Sequence, residues 1–236
     1  METELKPAWC SGPVLVVAAH PDDEVLGCGG TMARLSAAGV EVHTLILATG
    51  HASRDASGAA DVEALAALRQ AAEAANARLG ARSLVLEDLP DNQMDSVPLL
   101  SVVKMVEAAL RRVKPTVVFT HLPNDVNVDH GVTHRAVLAA CRPQPGEGVQ
   151  ELYYFEIASS TEWGAMQPGW AFRPTLSVDI SASIEAKIAA LECYRSELRD
   201  WPHPRSTQGL RALAALRGAG VGVDAAEAFE VGRILR

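Results

Sequence analysis

A chain of 236 residues, 48% hydrophobic and 21% charged, has an ordinary globular composition and enough length to bury one sizeable core, read here as one domain over 1–236. Its 29 acidic residues against 21 Lys plus Arg give a net charge of −8 with no dense basic run, which excludes nucleic acid as the expected partner because phosphate binding needs clustered cations. The opening Met1-Glu2-Thr3-Glu4 has no basic stretch leading into an apolar run, and no segment of about 18 apolar residues follows, so a cytoplasmic protein with no membrane span is expected.

In chain order, Val14 to Ala19 is a continuous apolar, β-branched run, the mark of a strand buried on both faces of a parallel sheet. After the turn Pro21-Asp22-Asp23-Glu24, helical spacing runs from Val25 to Ala38 and stops at Gly39, and Glu41 to Ala48 reads as a second strand. An Ala-rich helix from about Asp61 to Leu79, a short strand Ser83 to Leu86, a helix from about Pro98 to Val113 and a strand Thr116 to Thr120 continue the alternation. The pattern predicts an α/β fold with a doubly wound, mostly parallel, Rossmann-like sheet whose ligands bind outside the carboxyl ends of the strands. The polar stretches His51 to Gly58 and Pro90 to Ser96 leave such ends and are candidate loops over a site.

Beyond Cys141 the pattern predicts a C-terminal extension: a turn at Arg142 to Gly146, a strand Leu152 to Ile157, a final strand Thr175 to Ile180, a helix from about Ser183 to Leu198, then Trp201-Pro202-His203-Pro204 and another short helix. Cys10, Cys28, Cys141 and Cys193 form no CxxC pair, so any metal must use His and carboxylate ligands.

Such ligands cluster at His20-Pro21-Asp22-Asp23-Glu24, where the first strand ends and the first helix begins. Across a tight turn, His20 and Asp23 can converge on one ion as nitrogen and oxygen ligands. A catalytic zinc usually takes a third protein ligand and a water, and His130 is the candidate, because it follows the strand ending at Thr120 and lies on the same sheet edge. A helix from about Gly131 to Ala140 follows it. Asp22 adjoins both ligands without being needed as one, so it is the candidate general base; its structural alternative is an N-cap for the first helix.

Gly27, Gly29 and Gly30 do not make a dinucleotide site: the GxGxxG spacing fails at Met32, and the acidic turn would repel a pyrophosphate. They read as close-packing positions between helix and sheet. No GxSxG elbow, HExxH helix or GKS/GKT loop is present.

Ala19-His20-Pro21-Asp22-Asp23-Glu24, followed by Gly27-Cys28-Gly29-Gly30 and joined by Asp129-His130, resembles the LmbE or PIG-L family of zinc-dependent N-acetyl-sugar deacetylases. The resemblance implies a metal held by His20, Asp23 and His130, with Asp22 as base in hydrolysis of an N-acetyl group from an amino-sugar small molecule. Zinc is the expected ion, and iron, cobalt or manganese in divalent form also suit two histidines and an aspartate. Homotrimers or homohexamers are implied on the same ground.

Several relatives carry a histidine three residues before the last ligand, where this chain has Asn127, a group able to donate to an oxyanion but not to give up a proton. Asp129 would orient a ligand histidine. His121 and His134 are alternative acids, and Arg54, Asp91, Asn92, Glu156 and His203 are candidate sugar contacts, His203 within a His203-Pro204-Arg205-Ser206 segment similar to one in relatives. Rival readings are an amidase or thiol-conjugate enzyme on the same scaffold and an inert metal-binding protein.

Overall fold

The computed structural model describes residues 10, 12–49, 62–145, 148–164, 168–169 and 171–236. Five strands, β1 (Val14–Ala18), β2 (Val42–Ala48), β3 (Ser83–Leu89), β4 (Val117–His121) and β5 (Glu151–Phe155), pair in parallel in the spatial order β3-β2-β1-β4-β5. Two more, β6 (Leu176–Asp179) and β7 (Ala226–Ile234), complete a seven-stranded sheet, with β7 antiparallel to both β5 and β6. Helices α1 (Asp23–Ala37), α2 (Val62–Arg78), α3 (Leu99–Val113), α4 (Val128–Ala140), α5 (Thr161–Gly164), α6 (Ile184–Leu191) and α7 (Thr207–Ala219) connect them.

The doubly wound arrangement follows from the period of two along each strand. In β1, Val14, Val16 and Ala18 pack into one core with residues of α1, α2, α6 and α7, whereas Leu15 and Val17 join α3 and α4 on the opposite face. Both faces are covered, so β1 is apolar at every position. Among the described residues, no helix is long and apolar enough to cross a membrane. All four cysteines are free thiols.

Several boundaries differ from those the sequence predicts. The strand at 175–180 is not the final one: β7 follows it and lies between β5 and β6. Its sequence Ala226-Glu227-Ala228-Phe229-Glu230-Val231-Gly232 lacks the β-branched density of β1, and an acidic side chain falls inside its buried part. The helix expected to reach Leu198 stops at Leu191, with the chain turning at Tyr194, and β3 continues through Glu87 and Asp88 to Leu89.

The glycine cluster in α1 serves close packing, as expected. A Cβ at Gly27 would stand 2.4 Å from the Phe155 ring, and one at Gly30 would stand 2.7 Å from Ile180. Between them the helix is broken at Cys28, whose φ of −148° and ψ of 22° are not helical.

Candidate metal centre

The motif histidine stands where β1 runs out. The His20 backbone N–H donates to Asp23 Oδ2 at 2.9 Å, and Asp22 takes a φ of 105°, a left-handed conformation that closes the turn and starts α1 at Asp23, two residues earlier than its spacing indicates. Although Asp22 occupies the N-cap position, its side chain makes no capping bond; Oδ2 instead accepts from Arg205 Nη1 at 3.0 Å. The helix-cap alternative for this carboxylate is therefore not realised.

On the neighbouring strand edge, Asn127 Oδ1 accepts from the Asp129 N–H at 2.8 Å and caps α4. The helix consequently begins at Val128 rather than near Gly131, and His130 sits in its first turn. There His130 Nε2 comes to 3.3 Å from Asp23 Oδ2, while His20 Nδ1 is 3.2 Å from the same oxygen. His20, Asp23 and His130 each offer a ligand atom within 4.8 Å of the others, as do His20, Asp91 and Asp129 in an adjoining group.

These side chains fit a divalent cation by a test independent of motif. Asp23 Oδ1 and both ring nitrogens of His130 are buried without a hydrogen-bond partner among the described residues, a costly arrangement that coordination at Asp23 Oδ1 and His130 Nε2 would offset. The charge balance agrees. Burial presses the His20 imidazole toward neutrality, yet the bond to Asp129, with Asp23 and Asp91, holds its pKa up at about 10. Burial acts the same way on His130, and Asp23 with Asp125 again raises it. Burial pushes Asp23 upward, but His130 and His121 outweigh it and hold the carboxyl well below its ordinary value. The pocket favours positive charge, and two imidazole nitrogens with a carboxylate oxygen are donors suited to zinc.

Each candidate ligand histidine has a carboxylate near its far nitrogen. His20 Nε2 donates to Asp129 Oδ2 at 2.9 Å, and Asp129 also accepts from the backbone N–H groups of Asn92 (2.7 Å) and Met94 (2.9 Å). His130 Nδ1 lies 3.1 Å from Asp125 Oδ1, and Asp125 accepts from the Ser160 hydroxyl and, at 2.7 Å, from Thr161 Oγ1. Sequence reasoning found Asp129 and missed Asp125; the available signal was a lone acidic residue in the short loop between β4 and α4.

The remaining candidates fall at varied places. Asp91 Oδ1 is 3.3 Å from His20 Nε2, and Asn127 Nδ2 donates to Asn92 Oδ1 at 3.0 Å, so the loop after β3 touches the centre. His121, the last residue of β4, is fully buried, accepts the Ala19 N–H on Nε2 at 2.8 Å and stacks on His130 at 4.0 Å. His134 bonds the His121 carbonyl at 2.9 Å and packs against Tyr154. Glu156 is held by both arms of Arg217 at 2.8 and 2.7 Å. His203 accepts the Arg205 N–H at 3.1 Å and meets the Trp163 ring edge-on. Arg54 and the loop 51–58 lie outside the described residues.

Two further groups had no assigned role. Arg205 joins Asp22 to Ser159, bonding Ser159 Oγ from Nε at 2.7 Å. Glu24 is buried beneath the turn, accepting from Tyr194 Oη (2.5 Å), Asn76 Nδ2 (3.0 Å) and the Asp22 N–H (3.1 Å). Burial lifts the Glu24 carboxyl to a pKa of about 7, against the opposing pull of Tyr194. Asp22 is also raised well above its ordinary value, by burial first, with Arg205 opposing.

The chain is similar to several known proteins. A 1D-myo-inositol 2-acetamido-2-deoxy-alpha-D-glucopyranoside deacetylase from Mycolicibacterium vanbaalenii is 26% identical, with 82% of this chain and 83% of the relative covered. A 4-oxalmesaconate hydratase from Pseudomonas putida is 28% identical over 88% of this chain and 82% of its own length. Among solved structures, a conserved protein from Thermus thermophilus is 31% identical with a TM-score of 0.74, covering 96% of this chain and 97% of that one. The family described as PIG-L: GlcNAc-PI de-N-acetylase matches residues 15–141, which carry every group of the two motif turns, and the chain belongs to that family.

Proposed function

We propose that the chain is a metal-dependent N-deacetylase, zinc being the ion its donors suit best, acting on an N-acetylhexosamine-containing small molecule. The observation that carries this reading is the convergence of His20, Asp23 and His130 at the carboxyl ends of β1 and β4, with the Asp22 carboxylate adjoining them but engaged elsewhere. The deacetylase relative, named for a 2-acetamido-2-deoxy-glucopyranoside, supports the substrate class.

When bound, the cation polarises an amide carbonyl and makes a water acidic enough to attack near neutral pH. The residues of the chain do the rest. Asp22 takes the proton of the attacking water, and burial, which raises its proton affinity, lets it hold that proton until it passes to the nitrogen of the departing amine. Asp129 and Asp125 fix the rings of His20 and His130. One N–H of the Asn127 amide holds Asn92, and the other is the donor available to an oxyanion. Asp91, Asn92 and His203 are the described candidates for sugar hydroxyls, with Arg54 between β2 and α2 in the sequence.

The test is acetate release from N-acetylglucosamine and its conjugates by chelated protein, with and without added zinc. Zinc-dependent acetate is expected. Protein that binds zinc and releases none, but adds water to 4-oxalmesaconate, would move the site to the hydratase chemistry of the Pseudomonas putida relative. Asp22→Asn should retain zinc while kcat falls roughly 100-fold or more, the usual contribution of a positioned base; near-normal turnover would remove Asp22 from that role.

A further inference from the structure

The break in α1 at Cys28 has an ion pair inside it. Lys187 in α6 and Glu227 in β7 are each 5% exposed, and Lys187 Nζ donates to Glu227 Oε1 at 2.6 Å. A straight helix would join the Gly30 N–H to the Leu26 carbonyl. Here Gly30 N–H donates to Glu227 Oε1 at 2.9 Å, and the Leu26 carbonyl accepts from Lys187 Nζ at 2.8 Å. Thr31 N–H adds a second bond to Glu227 Oε2 at 2.7 Å. The carboxylate thus caps the helix downstream of the break, and the ammonium caps the turn upstream of it.

The glycines make room for this insertion: a Cβ at Gly29 would stand 3.3 Å from Lys187 Cγ. The upstream piece is short and begins at the Asp22-Asp23-Glu24 turn, so its direction decides where Asp23 meets His130. We propose that Lys187 and Glu227 are positioning residues for the metal centre, a charged clamp that splits α1 and aims its first turn at His130. The inference rests on the metal reading above and reaches the centre from β7 and α6, both outside the motifs that point to it.

The experiment compares wild type, Glu227→Gln and Val106→Ala, a buried change in α3 on the opposite face of the sheet, which serves as a control for general destabilisation. Three quantities are read: melting temperature, zinc affinity by competition with a chromogenic chelator, and amide exchange of the segment 22–31 in metal-free protein. Glu227→Gln should weaken zinc about 10-fold, at the lower end of what outer partners of ligands contribute, and speed exchange selectively in 22–31. Acetate release, where measured, should lose kcat with little change in KM. Val106→Ala should lower the melting temperature without either local effect.

Zinc affinity within twofold of wild type together with unchanged local exchange in Glu227→Gln would overturn the clamp, as would an equal loss in Val106→Ala. If Glu227→Gln does not fold, Lys187→Gln, which leaves the carboxylate on its two amides, is read in the same way. Wild type that binds no zinc, with the exchange pattern still as expected, overturns the metal reading and leaves the clamp standing.

Discussion

Arg205 Nη1 lies 3.0 Å from Asp22 Oδ2, joining positions 183 residues apart. The same guanidinium bonds Ser159, so the carboxylate assigned as base is oriented from the loop before α7 and the loop before α5. Arg205→Ala should lower kcat about 10-fold or more, because small misplacements of a reacting group are costly, with zinc content unchanged. Arg205→Lys should recover only part of it, since an ammonium cannot bond both partners in the same plane. Steady-state rates with metal analysis decide it; an unchanged kcat in Arg205→Ala removes the orienting role.

Asp125 stands on the far side of the His130 ring from Asp23. Asp125→Asn should weaken zinc roughly 10- to 100-fold, as loss of a carboxylate behind a ligand histidine does. Chelator competition measures it, and wild-type affinity would show that Ser160 and Thr161, not the ring, are what Asp125 serves.

Asn127 combines a helix cap with an amide donor, and two substitutions separate them. Asn127→Ser keeps a capping oxygen and loses the amide, so stability should hold while kcat falls. Asn127→Ala should lose both, lowering stability by about 1 kcal/mol. Equal kcat for Asn127→Ser and wild type would leave only the cap.

Glu24 has a pKa of about 7 in the fold against an ordinary 4.5, so its contribution to stability is present below 4.5 and is lost as pH rises through 7. In metal-free protein, Glu24→Gln should therefore lose less stability than wild type between pH 5 and pH 8. Denaturant unfolding at both values checks it: parallel declines would mean that Glu24 is ionised in the fold at pH 5.

The parts of this site that the sequence made legible are those fixed by short-range geometry. His20 and Asp23 share one turn, and His130 follows a strand whose five apolar-to-polar positions announce its carboxyl end. What stayed hidden depends on partners distant in the chain. Asp22 reads as either a base or a cap until Arg205 is seen beside it, and Glu24 has no visible task until Tyr194 and Asn76 close over it. The strand β7 escaped because Glu227 interrupts its apolar pattern, and that same residue is buried for reasons that α1 and α6 supply.

The placement of β7 also orders events during synthesis. β6 pairs with β7 alone, and β7 in turn seals the edge of β5. Residues 176–179 thus leave the ribosome about 50 residues ahead of the strand that gives them a place. Until Ala226 to Ile234 arrives, β5 presents an open parallel edge, and the nascent chain carries a half-built sheet prone to recruit a strand from a neighbour. The pairing of β5 with β7 is a distant contact of the kind that retards folding.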